Sequence, residues 1–248
     1  MSSRPSPDVI AQLAPTGKLR VGINHSNFLL SQHDAAGRYS GVAIDIATEL
    51  ASRLGVAMDV VGFESPGLMA EAVARDAWDV AFMGAEPARA KEIAFSAAYL
   101  EIEAGYMVPP GSPIKDIADV DRQGVRIALM DKSAYDLYLT RNIKHATIVR
   151  TPSIDASYET FVTDKLEVLA GLKPRLNSDV KRLAGSRVLD GRFTAIQQSV
   201  GTPRARGEAG AAYVRAFVEE MKAGGTVSAA IKRHAVPGVS VAPPAAVG

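Results

Sequence analysis

The stretch Trp78-Asp79-Val80-Ala81-Phe82-Met83-Gly84-Ala85-Glu86-Pro87-Ala88-Arg89-Ala90-Lys91-Glu92-Ile93-Ala94-Phe95-Ser96-Ala97-Ala98-Tyr99-Leu100 decides how the rest of the chain is read. Val80 to Met83 is a short apolar run after Asp79, of a length suited to a buried parallel strand. Gly84 and Ala85 are small, which lets a ligand approach the backbone closely. Glu86-Pro87-Ala88-Arg89 has the form of the first turn of a short helix, with Pro87 where its missing N–H does no harm. A helix start after a strand gathers free N–H groups and a partial positive charge, and both favour an anion. Arg89 adds a planar fork of donors that matches a carboxylate. The plain alternative is a surface arginine on a helix.

Upstream, Lys18 to Ile23 reads as a strand, and Asn24-His25-Ser26-Asn27-Phe28 as the loop that follows it. Phe28 either lines a site with Asn24 and Asn27 or packs into the core with Leu29 and Leu30. Apolar residues at 42, 46, 47, 50 and 54 follow helical spacing, and Gly55 stops that helix. Met58 to Phe63 is a second strand and Leu68 to Val73 a second helix. Trp78 is expected to cover the core rather than to stack on a ligand. Short strands alternating with short helices signal a parallel, helix-flanked sheet.

Downstream, Ile102 to Val108 is extended, and Pro109-Pro110-Gly111-Ser112-Pro113 is the strongest turn cluster in the chain. A first crossover between domains is therefore expected at Tyr106 to Val108. Further strands are expected at 124–129, 146–149 and 166–172, with helices from Asp131 and from Ile154. Ser133 sits at a strand-to-helix turn, as a plain N-cap, an anion contact, or both. Tyr135 and Tyr138 are expected to pack. Another strand lies within Arg187 to Ile196, and Gln197 or Gln198 follows near a second crossover. Gly201 to Gly207 reads as a loop without the spacing of a dinucleotide fingerprint. Ala209 to Ala223 and Val227 to His234 read as helices. Residues 1–17 read as a loose arm with one helical turn, and 236–248 as a mobile tail.

These segments resemble the extracytoplasmic solute-binding proteins of polar amino-acid ABC transporters, a type II periplasmic-binding-protein family, over roughly residues 17–235. Asp79, Gly84, Arg89, Lys91, Phe95, Ser96 and Tyr99 match that family's central motif, while its threonine is Glu86 here and its proline Ala98. The pattern around Gly41, Asp45 and Gly55 matches closely, with Asp45 read as holding the helix start. The resemblance implies an α/β fold of two lobes, each a mostly parallel sheet flanked by helices, divided as 1–107, 108–196 and 197–248. It implies lobes that close by hinge motion over a small carboxylate-bearing solute, an amino acid or a related organic acid. Arg89 would clamp the carboxylate, with amides near Gly84, Ala85, Glu86 and Ser133, and with Phe28, Asn24 and Asn27 lining the cleft. In the second lobe, Glu167 matches the first acidic position. The second acid, which pairs with the ligand's α-amino group, falls on Leu172 or, with a one-residue shift, on Gly171. Neither can bind a cation, so Glu86 either neutralises Arg89 or replaces the missing acid. The implied partner is an ABC transporter permease, the implied state a monomer, and the implied location the periplasm.

Composition bounds the rest. The 248 residues suit one large or two smaller domains, and the net charge of +1 points to neither nucleic acid nor a membrane surface. No apolar run reaches the length of a membrane span. The absence of cysteine excludes disulfides, thiolate metal sites and a cysteine nucleophile. Met1 to Pro7 has no apolar core of a signal peptide, so either a signal was removed or the protein is cytoplasmic. His25, His33, His145 and His234 show no metal-ligand spacing, no metal or cofactor is expected, and no catalytic residue is assigned. Two alternatives remain. One is an enzyme on the same scaffold, similar to the cyclohexadienyl dehydratases, which His25 and Glu86 keep open. The other is a ligand sensor like the effector domains of LysR-type regulators, whose helix-turn-helix the first seventeen residues cannot supply. Arg89→Ala is expected to abolish carboxylate binding with the melting temperature of the empty protein nearly unchanged.

Overall fold

The computed structural model describes residues 5–246. Helix α1 (Pro7–Leu13) starts at Ser6, whose hydroxyl accepts the Val9 N–H at 3.4 Å. Strand β1 (Lys18–Asn24) follows, then a small hairpin of β2 (Gln32–His33) and β3 (Tyr39–Ser40). Helix α2 (Val42–Leu54) turns its apolar stripe inward and ends at Gly55, whose φ of 71° is the left-handed cap that glycine adopts without strain. Strand β4 (Ala57–Phe63), helix α3 (Pro66–Glu71) and strands β5 (Val80–Gly84), β6 (Ile93–Phe95) and β7 (Leu100–Val108) complete the first segment.

The next segment repeats the pattern, with β8 (Arg126–Met130), α4 (Ala134–Asn142), β9 (Thr147–Thr151), α5 (Ile154–Thr163), β10 (Val168–Leu172), α6 (Lys173–Asp179) and the short β11 (Arg187–Val188). Strand β12 (Thr194–Pro203) leads into α7 (Glu208–Ala223), α8 (Thr226–Arg233) and β13 (Val239–Val241).

The chain folds as two compact units, one made of the residues up to Glu101 and those from Gln197 onward, the other of Ile102–Ile196. In the first unit the strand order is β4-β1-β5-β12, with β1 parallel to β4 and β5 and with β12 antiparallel to β5. The second unit has the order β7-β10-β8-β9, with β8 parallel to β9 and β10 and with β7 antiparallel to β10. Each unit is thus a mostly parallel sheet with helices on it, the α/β architecture read from the sequence.

An acidic residue just before a central strand fixes the register in each unit. Asp79, fully buried before β5, accepts the Arg20 backbone N–H at 2.7 Å and its Nη2 at 2.7 Å, and its own N–H returns to the Arg20 carbonyl at 2.8 Å. Arg206 reaches the same carboxylate at 2.9 Å. Before β10, Glu167 accepts the Arg126 backbone N–H and its Nε, each at 2.9 Å. Trp78 lies in the core of the first unit with Met69, Ala81 and Ile93, and its indole N–H donates to the Met69 carbonyl at 2.9 Å. Tyr135 is buried in the core of the second unit, with Tyr138 packed against it.

Several expectations change. The division falls at Glu101/Ile102, inside β7, rather than at Tyr106–Val108, because the proline-rich cluster marks the end of that strand and not the border between units. Gly201 to Pro203 continue β12, pairing with Ile93 to Phe95, and Arg204–Arg206 form a 3₁₀ turn, so the stretch is not a plain loop. The supposed tail contributes β13, which pairs β7 and places the Ala242 N–H on the Tyr99 carbonyl at 3.2 Å. The arm is ordered from Ser6 as α1; its residues 1–4, and 247–248 of the tail, lie outside the described residues. Among the described residues, no helix is long and apolar enough to cross a membrane.

Candidate functional site

Parallel strands put their C-terminal ends on one edge, and in open α/β sheets that edge is where ligands bind. In the first unit β1 and β4 end together, Asn24 opposite Phe63, and β5 runs alongside with Gly22 opposite Ala81. The loops leaving that edge carry Asn24 to Phe28, Glu64 and the segment Gly84 to Arg89.

The turn after β5 is not the helix expected from Pro87. It is a single 3₁₀ turn, Arg89–Lys91, in which the Glu86 carbonyl accepts the N–H groups of Arg89 at 2.9 Å and Ala90 at 3.0 Å. The Ala85 N–H donates to the Gln197 carbonyl at 2.8 Å, so it does not complete an anion site. The short chain from Gly84 to Ile93 leaves room for one tight turn before β6 must pair with β12, and that shortness overrides the helix-start signal.

Arg89 is only 7% exposed, and its Nη1 donates to the Gly84 carbonyl at 2.8 Å. Burial lowers its pKa to about 10, and the negative charge of Glu86, itself 8% exposed, works against that fall. The guanidinium therefore stays charged at neutral pH in a desolvated place, where an ionic contact is far stronger than at the surface.

In the loop after β1, Phe28 is 39% exposed while Leu29 and Leu30 are buried, so it does not pack into the core with them. Asn24 closes the loop on itself, its Oδ1 accepting from the Ser26 N–H at 3.0 Å and hydroxyl at 2.8 Å. Asn27 is different: its Oδ1 is buried and accepts no hydrogen bond.

A group that sequence spacing did not disclose stands beside this loop. His25 Nε2 lies 2.9 Å from the Tyr39 hydroxyl and its Nδ1 3.5 Å from Glu64 Oε1. The His33 ring centroid is 4.8 Å from that of His25. The β2–β3 hairpin brings His33 and Tyr39 back over β1, a juxtaposition no local motif encodes. Gly62 makes room for it, since a Cβ there would fall 2.3 Å from His25 Nε2. Among the described residues no group of three or more His, Cys, Asp or Glu side chains is placed to hold a metal ion.

In the second unit, Ser133 is the N-cap of α4, its hydroxyl accepting the Asp136 N–H at 3.0 Å and also hydrogen-bonding the Tyr135 phenol. Its own N–H donates to the Met130 carbonyl at 3.3 Å, so the amide expected to meet an anion has a partner inside the turn. Lys132 precedes it with φ of 54°, a left-handed conformation unusual for a side chain of this size. Leu172 ends β10, partly buried, and packs against the core of its unit, while Gly171 carries no side chain at all. Glu167, matched to an acidic family position, is committed to Arg126, and Asp45 ties α2 to Arg233 at 2.7 Å and His234 at 2.9 Å.

The family model for bacterial extracellular solute-binding proteins, family 3, matches residues 19–236. The chain belongs to that family. Its fold is the two-lobed type II arrangement of solved solute-binding proteins. The solute receptor for L-cysteine of Neisseria gonorrhoeae is 21% identical, with a TM-score of 0.75 over 92% of this chain and 94% of that one. A P235GK mutant of the ArgBP from T. maritima is 19% identical, with a TM-score of 0.73 over 91% of this chain and 98% of that one. An ancestral amino acid-binding protein described as a precursor of cyclohexadienyl dehydratase is 21% identical, with a TM-score of 0.74 over 90% of this chain and 97% of that one. At these identities the likeness establishes the fold alone. A comparison with curated protein sequences finds no match.

Proposed function

We propose that this family member is the substrate-binding component of an ABC importer, and that Arg89 holds the carboxylate of a small organic solute. One observation carries the reading: a buried, charged guanidinium in the turn that follows β5, at the C-terminal edge of the parallel strands of the first unit. A carboxylate offers two oxygens in the plane of the guanidinium fork, and desolvation strengthens that contact. Asn24 and Asn27 lie in the loop after β1, which leaves the sheet at the same edge. In this reading the protein works outside the cytoplasm, in keeping with its family, and hands its solute, as a monomer, to a membrane permease.

Titration calorimetry of the full chain against amino acids and plain carboxylates tests this. Arg89→Lys keeps the positive charge but loses the fork, and is expected to weaken the bound carboxylate by at least about tenfold. Equal affinity in the variant contradicts the reading.

His25, hydrogen-bonded to Tyr39 and facing Glu64, supports a second reading, an enzyme on the same scaffold. An imidazole oriented by a carboxylate is the arrangement general acid–base chemistry uses. Nuclear magnetic resonance of candidate solutes incubated with the protein separates the readings: a binding protein returns every solute unchanged, an enzyme does not.

A further inference from the structure

We infer that the second unit receives a second carboxylate of the solute on Lys173, so that the solute is a dicarboxylate rather than an amine-bearing acid. This rests on the reading of Arg89 as the clamp of the first carboxylate.

Strands β8 and β10 run parallel, so Met130 and Leu172 end at the same edge of the second unit's sheet, the edge at which α/β sheets bind ligands. The acid that the family resemblance places at this edge is replaced by apolar Leu172, and the next residue, Lys173, is a cation. Strand register brings it against β7: Leu172 pairs with Ala104, and Lys173 Nζ lies 3.2 Å from Glu103 Oε2. Gly105 leaves the space its stem occupies, since a Cβ there would fall 3.0 Å from Lys173 Cγ. The lysine is thus laid over the strand, its side chain 24% exposed.

The charges around Lys173 favour an anion. Arg192 Nη1 stands 3.3 Å from Oε1 of the same Glu103, so two cations share one carboxylate and the group carries a net positive charge. Glu103 and Arg192 are open to water, where an ion pair contributes little. A carboxylate of the solute can therefore take over Lys173 Nζ while Arg192 keeps Glu103. The acids near this edge are engaged elsewhere. Asp131 and Asp136, beside the end of β8, face Arg150, and Asp155, at the start of α5, pairs with Arg175. In the first unit the charge of Glu86 already acts on Arg89. An ammonium brought to Lys173 would meet a like charge, which is unfavourable.

The test uses calorimetry and thermal shift on the full chain, comparing straight-chain and aromatic dicarboxylates with their monoamides and with L-amino acids of neutral side chain. For wild type, at least one dicarboxylate is expected to bind about tenfold or more tighter than its monoamide, which keeps the shape and loses one charge, and tighter than every amino acid of the panel. In Lys173→Gln that ratio should fall to about one, the monoamide binding as in wild type. Glu103→Gln releases Lys173 from its partner and should tighten the dicarboxylate by about threefold with the monoamide unchanged, a gain that structural damage does not produce. The inference is overturned if monoamides bind wild type as tightly as dicarboxylates, if an amino acid binds tighter than all of them, or if Lys173→Gln leaves the ratio unaltered. Should Lys173→Gln fail to fold, the wild-type ratio and Glu103→Gln decide the matter. The underlying reading fails separately, and the inference with it, if no carboxylate binds at all, or if Arg89→Lys binds dicarboxylate and monoamide as wild type does.

Discussion

Arg89 serves stability as well as recognition. Its Nη1 satisfies the Gly84 carbonyl and its charge faces Glu86 inside the fold. Arg89→Ala therefore leaves a buried carboxylate without its counter-charge, and is expected to cost about 3 kcal/mol, read as a lower melting temperature of the ligand-free protein. This replaces the expectation that the empty variant melts like wild type, and an unchanged melting temperature would contradict the burial. Lys132 offers the opposite experiment. Held at φ of 54°, it occupies a conformation that glycine adopts freely. Lys132→Gly should stabilise the protein by about 0.5–1 kcal/mol in urea unfolding, and a loss would mean that the Lys132 side chain contributes more than its strained backbone costs. That Arg89, Asp79 and Asp45 belong to local motifs was legible in the sequence. What was not legible is where those groups point: that Asp79 and Glu167 are clamps for Arg20 and Arg126, and that the Ala85 and Ser133 amides are used within the chain, follows from strand pairing between distant segments.

At the scale of elements, the two units repeat one device, an acidic residue before a central strand holding an arginine of its neighbour, Asp79 with Arg20 and Glu167 with Arg126. Hydrogen bonds from Arg126 hold the Glu167 carboxyl below its ordinary 4.5, and Arg206 does the same for Asp76 below 3.8. Between the folded and ordinary values the unfolded chain binds more protons, so stability rises with pH there. It is fully present above about 4.5 and is lost as the pH falls through the lowered values. Glu167→Gln should flatten this acid limb in melts recorded between pH 3 and 6, and an identical limb would show the ion pair to be idle. Strands and long helices were legible because β-branched and apolar runs and the cap at Gly55 announce themselves. The turn after β5 was misread, since Pro87 marks a helix start equally well where β6 leaves room only for a 3₁₀ turn. The meeting of His25, His33 and Tyr39 through a hairpin has no local signature at all.

For the molecule as a whole, alternating strands and helices, a balanced charge and one motif around Arg89 identify the fold and the family without help from the second unit, whose motifs are weaker. The identity of the solute is less legible, because it depends on the surroundings of a few buried groups rather than on any pattern along the chain. A solute that binds only the folded protein raises its stability by mass action, by about 2.7 kcal/mol at a hundred times the dissociation constant. For a chain of this length that corresponds to about 5–10 °C in melting temperature. The most direct measurement is therefore a thermal melt of wild type and Arg89→Lys, each with and without a panel of small carboxylates. The account predicts that at least one of them raises the wild-type melting temperature by several degrees and that the rise falls to about half or less in Arg89→Lys. A panel in which no carboxylate has an effect, or a rise of the same size in the variant, contradicts it.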